Sequence, residues 1–393
     1  MAVVRPSRAR CAILDLPLSE DLDLLRGAAA RFAGTEWPVG RLRAAADGGP
    51  AAGRAYLRRA AELGWFAALA PEEHGGGTIS GTGLRDAAVI ALERGRALQP
   101  GPFVPMNVVA AALARDGTPE QRAEVLPGLT AGTIVATWAA AGPGGGWETG
   151  TAIRWATAPG GYALSGTAAL VQDAGSADLF LVTAGSDDGM SQFLVPAGTP
   201  GLSVRPAASI DLSRSFGVVQ LTGVRVSAGA LVGTPGGARA AVEHQLQVAC
   251  VLTVAETVGT MARDFELALQ YSRDRIAFGR PIGSFQAVKH LLADTSLLLE
   301  ASRTVADAAA GAAGSGGDAA GAELASAAKA YVGESAVQLG QNCFQVFAGI
   351  GFTWEHDQHL YLRRLTMDAA LFGDPAWHRR RLARSYGLPE ARP

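Results

Sequence analysis

The hydrophobic period of this chain changes twice, and that change limits the possible folds more than any other feature. From Asp21 to about Gly132 apolar residues recur at helical spacing: Leu24, Leu25, Ala28 and Phe32, then Tyr56, Ala60 and Leu63 ahead of Gly64. Thr118-Pro119-Glu120-Gln121 has the form of a helix start, with an N-cap, a proline at the first helical position and an acid in the first turn. From Thr133 to Val232 short β-rich runs take over, at residues 162–164, 179–182, 192–195, 202–204 and 218–221, with glycine, aspartate and proline turns between them. The helical period returns at about Gly237 and continues to about Tyr386, in stretches spanning 240–272, 285–313, 321–347 and 357–371. Residues 310–320 are low in complexity and are expected to form a loop between antiparallel helices. The predicted architecture is α+β and multidomain. It has a helical N-terminal domain (1–132), a central β-sandwich or barrel domain (133–234) and a C-terminal four-helix bundle (235–393).

A chain of 393 residues exceeds one ordinary core and suits two or three domains. A net charge of -2 gives no electrostatic footing for nucleic acid or an anionic membrane. No apolar run reaches membrane-spanning length, and the first residues lack the sustained apolar region of a secretion signal. Cys11, Cys250 and Cys343 are scattered without metal-ligand spacing, so no metal site is expected and a reducing, cytoplasmic setting is.

Several segments in this order resemble the acyl-CoA dehydrogenase family. Glu62-Leu63-Gly64-Trp65 followed by Pro71-Glu72-Glu73-His74-Gly75-Gly76 is similar to the family's N-terminal signature, and Gly117 to Gln121 with Leu126-Pro127 to its approach to the β-domain. The most specific likeness runs from Tyr271 through Arg275, Phe278, Gly279, Pro281 and Gln286 to His290, with a second from Gln345 to Thr353. The resemblance implies FAD and a site shared between subunits, hence a homo- or hetero-oligomer, dimer or tetramer. It gives Arg275 a contact with the cofactor's pyrophosphate, for which a planar fork of donors is well suited. It also gives cofactor contacts to Phe278, Gln286, Gln345, Val346 and Gly349, and places Trp138 and Gln172 beside the flavin ring.

The same resemblance shows what this sequence lacks. The family's usual proton-abstracting glutamate falls on Phe372, and the alternative position used by a second branch falls on Ala249, next to Cys250. A threonine that supports the flavin falls on Ala141 in the run Trp138 to Gly144, and a Trp-Ile-Thr flanking the ring reads Leu170-Val171-Gln172. Two carboxylates are candidate replacement bases. Glu256 lies about two turns beyond Ala249 on roughly the same helix face, and could equally be a packing carboxylate paired with a basic neighbour. Asp374 follows Gly373, and could equally cap a terminal helix that begins at Pro375. Glu355-His356-Asp357 is read as structural, and Arg379, Arg380 and Arg381 as a solvated face.

The implied activity is α,β-dehydrogenation of an acyl thioester, on coenzyme A or a carrier protein, with hydride passing to FAD and onward to an electron-accepting flavoprotein or oxygen. Either the chain works alone with a displaced base, or it is the non-catalytic half of a mixed oligomer whose partner supplies the glutamate. A flavin monooxygenase on the same fold and a flavin-free scaffold are the rival classes.

Overall fold

The structure is a computed structural model and describes residues 18–46, 52–142, 147, 152–312 and 319–388. Cys11, the glycine-rich residues Pro143 and Gly144, and the middle of the 310–320 loop lie outside the described residues.

Among the described residues six helices come first: α1 (Glu20–Glu36), α2 (Val39–Ala46), α3 (Arg54–Glu62), α4 (Gly83–Arg96), α5 (Phe103–Asp116) and α6 (Pro119–Thr130). Helix α5 is apolar on every side, and all of its residues from Phe103 to Leu113 are buried, as a helix through the middle of a core requires. Helix α6 begins where its capping sequence predicts. Gln121 N donates to Thr118 Oγ1 at 3.2 Å and Thr118 N to Gln121 Oε1 at 3.0 Å, closing a capping box.

Eight strands follow: β1 (Ala136–Ala139), β2 (Ile153–Ala158), β3 (Gly161–Gln172), β4 (Leu179–Ser186), β5 (Gly189–Pro196), β6 (Leu202–Ala207), β7 (Phe216–Ser227) and β8 (Leu231–Val232). They form one mixed sheet in the order β6-β7-β3-β2-β4-β5-β8, with β1 parallel to β4. The sheet bends round a core of its own. Phe193 on β5 meets Tyr162 on β3 at 5.1 Å between ring centroids, although β2 and β4 separate those strands in the sheet. All five predicted runs lie in strands, whereas β1, β2 and β8 are additions.

The C-terminal part is helical: α7 (Arg239–Asp274), α8 (Gln286–Ala312), α9 (Ala319–Phe347), α10 (Gln358–Ala370) and α11 (Pro375–Ser385), with a short hairpin of β9 (Ile276–Ala277) and β10 (Arg280–Pro281) between α7 and α8. The four predicted helical stretches agree with α7 to α10 to within a few residues at each end. Helix α7 is the axis of the molecule, buried without interruption from Gln245 to Ala262. It crosses α4 at touching distance because both helices carry glycine at the crossing. A Cβ on Gly95 would lie 1.8 Å from the Glu256 carbonyl oxygen, and one on Gly259 would lie 1.9 Å from that of Leu92. The close approach brings Arg94 of α4 against Glu256 of α7.

Candidate functional site

The residues expected around a flavin ring do converge. Trp138 on β1, Leu170 and Gln172 at the end of β3, Pro105 and Val108 on α5, and Leu371-Phe372 after α10 surround one small space. Strand β1 reaches it because its parallel pairing with β4 places Trp138 beside Leu181, and Trp138 Nε1 donates to Thr183 Oγ1 at 2.9 Å. Leu170 and Phe372 both have left-handed backbones, with φ of 51° and 56°, a conformation that is uncommon for bulky residues. The two positions where the family resemblance implies a base also meet in space: Ala249 is buried on α7, and the neighbouring Cys250 Sγ lies 3.8 Å from the Phe372 carbonyl oxygen.

This space is nearly filled. Its volume is about 10 Å³, which is room for one water at most. The Phe372 ring lies 4.8 Å from that of Trp147, which in turn lies 6.0 Å from Trp138. Gln172 Oε1 and Trp147 Nε1 are buried against it and have no hydrogen-bond partner among the described residues.

The turn that aims Phe372 inward is fixed from behind. The fully buried Lys329 of α9 donates to the carbonyls of Asp368 (2.8 Å), Ala369 (3.0 Å) and Gly373 (3.2 Å), and so caps α10. Burial lowers the Lys329 pKa, and the neighbouring Cys250, Asp368 and Asp374 only partly oppose this, leaving it at about 8. His378 Nε2 donates to the Phe372 carbonyl at 3.0 Å; burial, with Lys329 beside it, brings the imidazole down to about 3, so it is neutral.

The two candidate bases take up the other roles weighed for them. Glu256 is wholly buried, and its carboxylate accepts from Arg94 Nε (3.0 Å), Arg214 Nη2 (2.6 Å) and Arg364 Nη2 (2.9 Å). Arg214 and Arg364 also pair with Asp368 and lie near Asp211. Three guanidinium groups thus face three carboxylates inside the protein. Burial pushes the Glu256 pKa up, but attraction to Arg214, Arg364 and Arg94 outweighs it and brings it down to about 2. A carboxylate so strongly held is a poor proton acceptor at neutral pH. Asp374 is exposed, and its Oδ1 accepts from Trp377 N at 2.6 Å as the N-cap of α11. Neither residue lines the space around Phe372. Among the other titratable groups, Asp357 pairs with Arg43, His356 Nδ1 accepts from Gln358 N at 3.1 Å, and Arg379 and Arg381 pair with Glu334 and Glu243.

The residues assigned to the nucleotide end of a cofactor lie elsewhere, at the far ends of the C-terminal helices. Arg275 ends α7, Gln286 begins α8, and Gln345 and Val346 close α9 just before Gly349. The ends of α7 and α9 are adjacent, because Tyr271 packs on Phe347 at 5.0 Å. Arg275, Gln286, Gln345 and Gly349 are exposed and Val346 is buried. Phe278, at the tip of the β9–β10 hairpin, is 96% exposed with φ 52°. A Cβ on Gly349 would meet nothing within 4 Å, so packing within this chain does not explain the glycine. Arg275 lies 25 residues along α7 from Cys250 (275 − 250), roughly 38 Å at the helical rise per residue. One dinucleotide cannot reach from Arg275 to the Phe372 space of the same chain. Arg275, Gln286 and Gln345 are exposed donors at one end of the helices, and the space at Phe372 is tight.

Sequence reasoning missed Trp147 and the three arginines around Glu256. The Trp147 position stands in a glycine-rich run with no periodic signal. The arginines lie 162, 42 and 108 residues from Glu256.

A helical domain, a mixed sheet and a helical bundle in this order are the architecture of a class of flavoprotein oxidoreductases. The chain belongs to the acyl-CoA dehydrogenase family: residues 19–133 match its N-terminal domain and residues 236–387 its C-terminal domain. It is 29% identical over 321 residues to the acyl-CoA dehydrogenase IpdE2 of Mycolicibacterium smegmatis, covering 82% of this chain and 84% of that protein. Among solved structures, a variant of the Tcur3481-Tcur3483 steroid ACAD superposes with a TM-score of 0.84 at 29% identity, over 94% of this chain and 99% of that one. The ChsE4-ChsE5 complex from Mycobacterium tuberculosis gives 0.85 at 26% identity, over 96% and 100%. No helix among the described residues is long and apolar enough to cross a membrane.

Proposed function

We propose that this chain is the non-catalytic subunit of a two-chain acyl-CoA dehydrogenase. It would lend Arg275, Phe278, Gln286, Gln345, Val346 and Gly349 to the nucleotide end of an FAD whose ring and catalytic glutamate belong to its partner. The observation that carries this reading is the closed space at Phe372. Trp147, Leu170 and Phe372 crowd the place where the family resemblance puts a flavin ring, and among the described residues no carboxylate lines it. The exposed donors at the opposite end stay available to a neighbouring chain. The relatives support the pairing, since two of the similar structures are named for two proteins each. FAD would supply the hydride acceptor, and this chain's part is to hold its diphosphate by charge-assisted contacts. The term steroid in one of those names makes a steroid-bearing acyl-CoA the first substrate to try.

The test is a comparison of the purified chain with the same chain co-purified with a family member that has the glutamate. The chain alone should not bleach any flavin it binds when acyl-CoA is added anaerobically, and the pair should. Arg275→Ala in this chain should strip FAD from the pair while leaving the assembly intact, since a charge-assisted contact is worth roughly 1.5–3 kcal/mol. Full turnover by the homogeneous chain, or unchanged FAD content in the Arg275→Ala pair, would overturn the assignment.

A further inference from the structure

A groove opens where the end of α7 meets the start of α8. The β9–β10 hairpin doubles the chain back there, and Ile282 N closes the turn by donating to the Arg275 carbonyl at 2.9 Å. A 3-10 turn (Ile282–Ser284) then lies directly on α7. A Cβ on Gly283 would stand 2.9 Å from the Ser272 carbonyl oxygen, so glycine permits the contact. Beside this crossing the two helix ends leave a groove of about 350 Å³, within the usual range of a small-molecule site. Leu269 and Arg273 fall four residues apart on α7, and Lys289 and Leu292 three apart on α8, so each helix presents one leucine and one cation. Pro281 of β10 adds a further apolar surface.

The charge in this groove is uncompensated. No acid lines it, and neither the Arg273 nor the Lys289 side chain has an ion-pair or hydrogen-bond partner among the described residues. Asp274, next along the chain, is outside the lining and accepts from Gln270 Nε2 at 2.8 Å. Both cations are exposed, whereas Leu292 is buried and Leu269 half-buried, so the charges stand above an apolar floor. A guanidinium offers a planar fork of donors and an ammonium a compact point charge, and both suit phosphate oxygens. Two positive charges match the roughly −1.5 to −2 of a phosphate monoester near neutral pH; a single carboxylate would leave one of them unmatched.

We propose that this groove binds an organic phosphate monoester, its phosphate between Arg273 and Lys289 and its apolar body on Leu269, Pro281 and Leu292. None of the residues assigned to the nucleotide end lines the groove, so the site is separate from the FAD contact.

The experiment is calorimetric titration of the full chain with phenyl phosphate, with inorganic phosphate and phenol as separate arms. Saturable binding of phenyl phosphate, weaker binding of inorganic phosphate and none of phenol is the expected pattern. Arg273→Gln and Lys289→Gln should each weaken phenyl phosphate about tenfold, as loss of a charge-assisted contact does. Leu269→Ala should weaken phenyl phosphate and leave inorganic phosphate unchanged, and Arg275→Ala should alter neither. Absence of saturable phenyl phosphate binding overturns the proposal. So does binding that is indifferent to both Arg273→Gln and Lys289→Gln, or that is lost in Arg275→Ala, which would move the ligand to the nucleotide end. Inorganic phosphate that binds as tightly as phenyl phosphate would also overturn it, leaving a charged surface with no recognition of the organic body. The two cation variants alter exposed side chains, so they decide even if Leu269→Ala fails to fold.

Discussion

Replacing Glu256 with glutamine tests the buried charge cluster and the fate of the displaced-base idea together. In the folded protein its carboxylate is held by Arg94, Arg214 and Arg364 and ionises at about 2, against 4.5 for the free group. A carboxyl held so far below its free value stabilises the folded chain at neutral pH. Removing one member of a buried ion cluster independently predicts about 3–5 kcal/mol, because a guanidinium is left uncompensated away from water. Glu256→Gln should therefore lower the stability of the chain by about 3 kcal/mol or more, read by guanidinium chloride unfolding at pH 7. The pH dependence has a definite sign. A depressed folded pKa gives stability that is present above about 4.5 and lost as pH falls towards 2, so wild type and variant should converge on acidification. Glu256→Asp should lie between them. A variant within about 1 kcal/mol of wild type at pH 7, with a difference independent of pH, would refute the network. A stable variant whose acyl-CoA dehydrogenation fell tenfold would restore Glu256 as a base.

Further expectations rest on single features. Asp264 is fully buried, its Oδ2 accepts from Gln358 Nε2 at 3.3 Å, and burial raises its pKa well above the usual range. Asp264→Asn should leave Tm unchanged near pH 3 and raise it increasingly as pH climbs above about 4, because only the unfolded aspartate ionises easily there; a constant offset would contradict this. Gly95→Ala drives a Cβ into the Glu256 backbone, so loss of more than about 2 kcal/mol is expected by the same unfolding assay, within the range for overpacking. Phe372→Glu should not by itself confer turnover, since Leu170 and Trp147 still fill the space. A general base is worth about 10²–10⁴-fold, and a gain of that size in an acyl-CoA assay would show that the pocket is open.

Whatever depends on neighbours along the chain could be read before any tertiary structure. The capping box at Thr118, the periodic faces of α7 to α10 and the run of turns between the strands are local, and their boundaries could be read to within a few residues. That Phe372, Ala249 and Ala141 carry neither a carboxylate nor a hydroxyl, where the resemblance implies one, was legible too. The tertiary structure alone decided where the remaining carboxylates went. Glu256 shares a helix face with Ala249, yet the Gly95–Gly259 crossing turns it into the centre of a cluster drawn from Arg94, Arg214 and Arg364, which lie far apart in the sequence. The same holds for β1, which is only four residues long and is placed at the site by pairing with β4 some forty residues later. It holds again for Trp147, whose ring closes over Phe372. Local propensity fixes which elements form, but the fate of a charge or a pocket depends on what other elements bring to it, and no short-range pattern encodes that.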